Sequence, residues 1–235
     1  MNFRLLKLLI MLFLVIFLTA FSTFKNGERK IDLNTINYLD SNFNFISVES
    51  VNKLLKQSDS ISLNLLKRDL NLKEIERIIN ENAFIDSAEV SLSLDGEIGV
   101  KIIEKEPVFR VLSDKYYIDS SGNKMPLSKI FSKGVPLIIS DVDSTYLKDL
   151  GLLGNYIKND IFFKDHISGL EIIENEIYFY VNGYSYQIKI KDLDEFETSF
   201  MNYKAFFKSV EKDSVLTQLS SINLNFKKQV IVQKK

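Results

Sequence analysis

Residues 75–111 read IERIINENAFIDSAEVSLSLDGEIGVKIIEKEPVFRV, and the change of period inside this stretch decides the fold. Its first turns belong to a helix that starts at Asn71. Asn71 and Glu74 have the spacing of a capping box, and Leu72, Ile75, Ile78 and Ile79 share one face. The apolar period then drops to two: Ala88, Val90, Leu92 and Leu94 alternate with Ser87, Glu89, Ser91 and Ser93, the pattern of a half-buried strand. Asp95-Gly96 supports the positive φ angles of a tight two-residue hairpin, and Ile98, Val100 and Ile102 alternate beyond it. A helix feeding a hairpin with one apolar face predicts a small α+β unit, its helices packed on one side of a sheet.

Working outward toward the amino terminus, Ser47 precedes Val48, Val51, Leu54 and Leu55, a capped amphipathic helix. The region of Ile31, Leu33 and Ile36 offers a further strand. From Leu8 to Phe24 the run LLIMLFLVIFLTAFSTF carries no charge, and Leu5 and Leu6 extend it across Lys7, whose amine can snorkel. A membrane-spanning helix over 5–24 is expected, with residues 1–7 at its near end. Ala20-Phe21-Ser22 also has the small residues of a signal-peptide cleavage site, so the run satisfies both patterns. Arg4 and Lys7 on one side roughly balance Lys25, Arg29 and Lys30 on the other, so charge leaves the orientation open.

Working outward the other way, Pro107 interrupts the alternation and marks the passage into a second unit, because proline cannot donate to a central ladder. Glu171–Ile173, Glu176–Val181 and Tyr184–Ile190 read as a meander, with Asn182-Gly183 as its hairpin turn. Leu193, Phe196, Phe200, Tyr203, Phe206 and Phe207 recur at helical spacing across Asp192–Val210. Ile222, Leu224 and Phe226 alternate with Asn223 and Asn225 in a terminal strand that Gln229 to Val232 prolong. The expected class is α+β: a single amino-terminal span, a small α+β domain over 25–104, and a mainly antiparallel β domain with flanking helices over 105–235.

Composition removes several chemistries. Thirty basic and 31 acidic residues leave a net charge of −1, which gives no electrostatic pull toward nucleic acid. There is no cysteine and one histidine, His166, so thiolate sites and multi-histidine metal sites cannot be built. Phosphate-cradling glycine loops are missing as well, and neither a cofactor nor a small-molecule substrate is expected. The acidic, serine-rich stretch KYYIDSSGNKMPLS (115–128) reads as strand at Tyr116-Tyr117-Ile118 and turn at Ser121-Gly122-Asn123. Ile138-Ile139-Ser140-Asp141-Val142-Asp143-Ser144-Thr145 resembles the Asp-x-Asp-x-Thr motif of haloacid-dehalogenase-type phosphatases, with Asp141 as nucleophile. The competing reading makes Asp143 the cap of a helix through Leu147, Leu150, Leu152 and Leu153.

The passage 75–111, the stretch YYIDSSGNKMPLS and the ending SSINLNFKKQVIV together resemble the FtsQ/DivIB family of bacterial cell-division proteins. The resemblance implies a single-span inner-membrane protein with a cytoplasmic amino terminus and, outside the cytoplasm, a POTRA domain and a β domain. It implies no catalysis: such proteins act as divisome scaffolds at the septum, linking early and late division proteins. They join the small single-span coiled-coil proteins FtsB and FtsL and help control septal peptidoglycan synthesis. By the same carry-over a partner segment adds to the strand at Ser221, Ile222, Asn223, Leu224, Asn225 and Phe226, pairing with an exposed edge. Asn225 stands where the family often has arginine and Asn223 where it often has aspartate. The expected contact therefore rests on Leu224, Phe226 and the backbone rather than on a salt bridge. Two other readings are carried forward: a POTRA-type chaperone in outer-membrane protein assembly or secretion, and an exported phosphatase using Asp141.

Overall fold

In the computed structural model, which describes residues 3–29, 31, 36–39, 42–57, 66–226 and 229–235, the chain divides into two units, Met1–Glu104 and Lys105–Lys235. The first opens with α1 (Phe3–Gly27), long and apolar enough to cross a membrane and with none of its residues buried. At 1.5 Å per residue it is roughly 37 Å long, more than the ~30 Å of a bilayer's hydrocarbon. There follow β1 (Asn37–Tyr38), α2 (Val48–Gln57), α3 (Leu72–Asn80), β2 (Ile85–Leu92) and β3 (Ile98–Glu104). The sheet order is β1-β3-β2, with β2 antiparallel and β1 parallel to β3. The strand expected around Ile31, Leu33 and Ile36 thus forms slightly later, at Asn37–Tyr38; Leu33 lies outside the described residues.

Both helices are capped as their sequences direct. Ser47 Oγ accepts from Ser50 N at 3.2 Å, and Asn71 Oδ1 accepts from Glu74 N at 3.3 Å. The Glu74 carboxylate does not close a reciprocal capping box, because it binds Arg77 instead. Val51 and Leu55 of α2 and Ile75 and Ile79 of α3 pack with Ile85, Ala88, Val90, Ile98, Val100 and Ile102 in one core. At the end of β3 the Glu104 carboxylate accepts from three consecutive amides, those of Asn44, Phe45 and Ile46, at 2.8–3.0 Å. That grip fixes the approach to α2 against the sheet, since each amide would otherwise need water or another partner.

The expected two-residue turn at Asp95-Gly96 is longer. Leu92 pairs with Ile98, Ser93 N donates to Glu97 O at 2.9 Å, and only Gly96 takes a positive φ, +92°. Leu94 therefore leaves the alternation and stands 79% exposed in the turn rather than in the core.

In the second unit β4 (Pro107–Val111), β5 (Tyr116–Asp119), β6 (Lys124–Pro126) and β7 (Leu137–Ile138) precede α4 (Leu147–Asn159) and α5 (Ile161–His166). Next come β8 (Ile167–Ile173), β9 (Glu176–Val181), β10 (Gln187–Ile190), α6 (Phe196–Val210), α7 (Val215–Gln218), β11 (Leu219–Asn223) and β12 (Ile231–Lys234). They form a nine-stranded sheet of order β12-β11-β10-β9-β8-β7-β4-β5-β6. Pro107 is the first residue of β4, where its missing N–H is tolerated. The pairs β4–β7, β7–β8 and β10–β11 are parallel, the others antiparallel. Parallel neighbours need a crossover, and α4–α5 and α6–α7 supply two of them. Leu150, Leu153 and Ile157 of α4, Phe163 of α5, and Phe200, Tyr203 and Phe207 of α6 share one core with Phe109, Leu170, Phe179, Ile188 and Ile222 of the sheet. Helix α6 starts at Phe196 rather than Asp192, and Leu152 of α4 faces solvent.

The two tight turns of the meander exchange roles. Asn182-Gly183 does not close a two-residue hairpin: Asn182 N donates to His166 O and its Nδ2 to Asp165 O, both at 2.8 Å, and the next ladder pair is Tyr180 with Gln187. Between β8 and β9, where Ile173 pairs with Glu176, Glu174 and Asn175 both adopt left-handed φ angles, 51° and 65°. That is the geometry of a type I′ turn, built without glycine.

The stretch 115–128 forms β5, a turn and β6. Asp119 Oδ1 accepts from Ser121 N and Asn123 N at 2.9 and 2.8 Å, and Gly122 takes φ +82°. The turn rests on α4 at a glycine-to-glycine contact, where a Cβ on Gly151 would stand 2.5 Å from the amide nitrogen of Gly122. Because the obstacle is backbone, Gly151→Ala is expected to cost about 3 kcal/mol. The drop should appear as a lower urea midpoint of the detergent-solubilised chain. Gly134→Ala, whose Cβ meets nothing within 4 Å, should leave the midpoint unchanged.

Candidate partner-binding edge

The crossover through α6 delivers β11 alongside β10 in parallel register, Gln187 with Ser221, Ile188 with Ile222 and Lys189 with Asn223. Leu224 N continues the ladder to Lys189 O at 2.9 Å, and Leu224 is 4% exposed. The chain then turns at Asn225 and Phe226, where Asn225 N donates to Asn223 Oδ1 at 2.9 Å, and folds back as β12, antiparallel to β11. Residues 229–235 thus do not prolong the terminal strand. They cover it.

The expected partner strand at 221–226 is accordingly interior over Ser221, Ile222 and Asn223, flanked by β10 and β12. The sheet's edge is β12, all four of whose residues are exposed. A bulge between Leu219 and Ser221 adapts β11 to its neighbour. Ser220 Oγ fastens the pair by donating to Gln233 O and Lys234 O at 3.1 and 3.2 Å, and Lys235 N donates to Gln218 O at 2.9 Å. Among the described residues only one side of β12 is paired, with Ile231 44% and Val232 37% exposed. Phe226, half exposed, stands with Leu224 and Asn225 on one wall of a groove of about 340 Å³; Asp192, Asp194 and Thr198 line another part of it. The opposite edge of the sheet, β6, is three residues long and ends in Pro126, a poor template for strand addition. What sequence reasoning missed is therefore β12: the available signal was Asn223 and Asn225, which the alternation assigned to strand but whose Asx turn ends β11, and residues 227 and 228 lie outside the described residues.

A family model described as FtsQ/DivIB, C-terminal related, matches residues 106–233, more than half of the chain and all but one residue of β12. The chain belongs to this family. The membership gives it a role in cell division. No curated protein matches the chain. Among solved structures, the major extracytoplasmic domain of the trans isomer of the bacterial cell-division protein DivIB from Geobacillus stearothermophilus is similar. The likeness covers 47% of this chain and 98% of that one, at 12% identity and a TM-score of 0.35. With α1 apolar enough to cross a membrane, the FtsQ/DivIB assignment fits a single-pass membrane protein.

Of the residues that first suggested an enzyme, Asp143 and His166 have structural partners. Asp143 Oδ1 accepts from Thr145 N and Oγ1, both at 2.8 Å, capping the 3-10 turn Ser144–Tyr146 ahead of α4; the hydrogen bonds from Thr145 hold its carboxyl below the usual range. Asp141 is exposed, and among the described residues no group of three acidic, histidine or cysteine side chains could hold a metal ion. His166 ends α5 and is 8% exposed, stacked on Phe162 at 4.5 Å and edge-to-face with Phe207 at 4.6 Å. Its Nε2 bonds the Tyr203 hydroxyl, which in turn meets Tyr186 Oη at 2.7 Å. Burial pushes the imidazole down to about 4 and the Tyr186 phenol up to about 12. Tyr203 is raised further by the same cause.

These groups stay neutral over the physiological range, a core arrangement rather than a proton shuttle. The sign of the resulting pH dependence is fixed. The unfolded histidine gains its proton near 6.5 and the folded one only near 4, so stability is complete above about 6.5 and falls as pH drops through that window. The full loss is about 3 kcal/mol. Urea unfolding of the detergent-solubilised chain should show this decline between pH 6.5 and 4.5, and His166→Phe should flatten it.

Proposed function

We propose that the chain is a non-catalytic, membrane-anchored scaffold of the divisome that receives a small single-span coiled-coil partner of the FtsB/FtsL type at the β12 end of its large sheet. In this reading it links early and late division proteins and helps control septal peptidoglycan synthesis. It sits in the inner membrane at the septum, amino terminus in the cytoplasm and both units outside it, the first of them POTRA-like. The observation that carries the reading is β12: a short, exposed, one-sided strand in the region the FtsQ/DivIB model matches.

Strand addition there uses general physics. An extended partner segment satisfies the free side of β12, while Ile231 and Val232 supply apolar contact along the strand and Phe226 does so at its turn. Ser221, Ile222 and Asn223 act one strand deeper, holding β12 in register, and Leu224 anchors the turn from the core. Asn223 and Asn225 bond each other locally, consistent with recognition by backbone and apolar contact.

Site-specific photo-crosslinking in growing cells tests the assignment. Probes at Ile231, Val232 and Phe226 should capture the coiled-coil partner, and a probe at the opposite edge, Lys124, should not. Removing residues 229–235 should weaken partner binding by tenfold or more, the equivalent of about 1.4 kcal/mol. Tighter binding after that truncation would instead mean that the partner displaces β12 and pairs with β11. Depletion of the chain should give filaments with segregated chromosomes; normal division on depletion would sink the scaffold reading.

A further inference from the structure

The turn between β2 and β3 carries an apolar side chain outward at a place where two backbone carbonyls are already bound by cationic side chains. Lys67 Nζ donates to Ser93 O at 2.9 Å and to Leu94 O at 3.1 Å, and reaches Asn26 Oδ1 of α1 at 3.3 Å. Arg29 Nη1 donates to Leu94 O at 3.1 Å and lies 3.5 Å from the Asp95 carboxylate. Lys67 N donates to Arg29 O at 2.9 Å, so the cations, the turn and the end of α1 form one fastened unit. Leu94 itself remains 79% exposed.

Leu94 and Asp95 line an open cleft of about 900 Å³ together with Leu18, Phe21, Ser22 and Thr23 of α1. The uncharged run of α1 ends at Phe24, with Lys25 and Arg29 beyond it. At 1.5 Å per residue, Phe21 and Leu18 lie roughly 5 and 9 Å to the apolar side of that boundary. A segment seated in this cleft would share its wall with a helix face whose neighbours are acyl chains. Two of the turn's carbonyls, those of Ser93 and Leu94, which lipid cannot satisfy, are already taken by Lys67 and Arg29.

We propose that the β2–β3 turn is a membrane-interface anchor: Leu94 inserts beside α1 at the boundary of headgroups and acyl chains, while Lys25, Arg29 and Lys67 sit at headgroup level. The depth matches that of apolar side chains on interfacial elements, about 5–10 Å. Asp95, 3.5 Å from Arg29, keeps its carboxylate at headgroup level beside that cation. The anchor restrains the first unit at the bilayer surface, so that it does not swing freely about the end of the span. The proposal rests on α1 lying in the membrane, and its test separates the two.

The chain has no cysteine, so single cysteines report one site each. Nitroxide labels at Met11→Cys, Leu94→Cys and Glu89→Cys are read in the full chain, reconstituted alone into phosphatidylethanolamine and phosphatidylglycerol vesicles. Collision with oxygen and with an aqueous nickel chelate is measured at each. Met11 and Leu94 should be oxygen-accessible and shielded from nickel, and Glu89 the reverse. Adding Arg29→Ala and Lys67→Ala should return the Leu94 label to the nickel chelate while Met11 stays shielded. A Leu94 label as nickel-accessible as Glu89, with Met11 shielded, overturns the anchor and leaves the span standing. All three labels in water overturn both. Shielding of Leu94 that survives the double substitution overturns the part assigned to Arg29 and Lys67.

Discussion

Parallel strand pairing cannot be closed by a short turn, and the second unit is organised by that constraint. Once β10 and β11 lie parallel, the chain between them must cross over the sheet, and α6 does so with Phe200, Tyr203 and Phe207 facing inward. The same holds for β7 and β8, joined through α4 and α5. Both crossovers contribute to one aromatic layer, in which Phe200 meets Phe163 at 5.0 Å and Phe179 at 5.1 Å. The crossover also decides where the sheet ends. Because β11 arrives beside β10, the remaining residues can pair only on its far side, and they become the edge.

Buried polarity in that layer is confined to a chain of hydroxyls and one imidazole. His166, Tyr203 and Tyr186 satisfy one another, so the helix layer accepts three polar atoms without a charge. Tyr116 is the exception, its buried hydroxyl having no partner among the described residues, with Lys124 Nζ 4.6 Å over its ring. Apart from Asp119, buried in the turn after β5 where it accepts from Ser121 N and Asn123 N, the charges described lie at the rim of the same core. Glu106 is held by Lys133 and Lys158, and Asp160 by Lys204 while its Oδ1 also caps α5; in each case a hydrogen bond to lysine is the largest cause holding the carboxyl below its usual range.

Much of this was legible in the chain because local and global preferences agree. The step from helical to alternating period at residues 72–102 maps onto α3, β2 and β3 with Ile75, Ile79, Val90, Val100 and Ile102 buried as the pattern requires. The aromatic spacing of 196–207 likewise gave α6. The misreadings fall where a tertiary contact outbids a turn signal. Asn182-Gly183 has the strongest local preference for a hairpin, yet Asn182 is drawn to the backbone of Asp165 and His166. Glu174-Asn175 has a weak local preference, yet the register of β8 on β9 forces both residues left-handed. The terminal edge failed for a similar reason: alternation at Ile222, Leu224 and Phe226 says which residues face inward, not which neighbour lies on the far side. Ile222 and Leu224 are buried as read, while the edge itself moved to residues whose short run of Val230, Ile231 and Val232 has no alternation to read.

An exposed edge strand is a hazard as well as the proposed docking site, and the composition of β12 reconciles the two. It is four residues long, ends in Lys234 and is followed by Lys235, whose backbone and side chain are tied back to Gln218 O and Thr217 O. Short length and lysine at the strand's end disfavour self-pairing. They also limit what backbone pairing alone can hold. A strand of this length offers few hydrogen bonds, each contributing about 1 kcal/mol net. Lasting occupation must therefore draw on side-chain contacts beyond the ladder, and the exposed ring of Phe226 beside its groove is where the surface next to β12 provides them. On the proposed reading, selectivity follows from requiring both parts at once: an extended segment for β12 and an apolar side chain placed to reach Phe226.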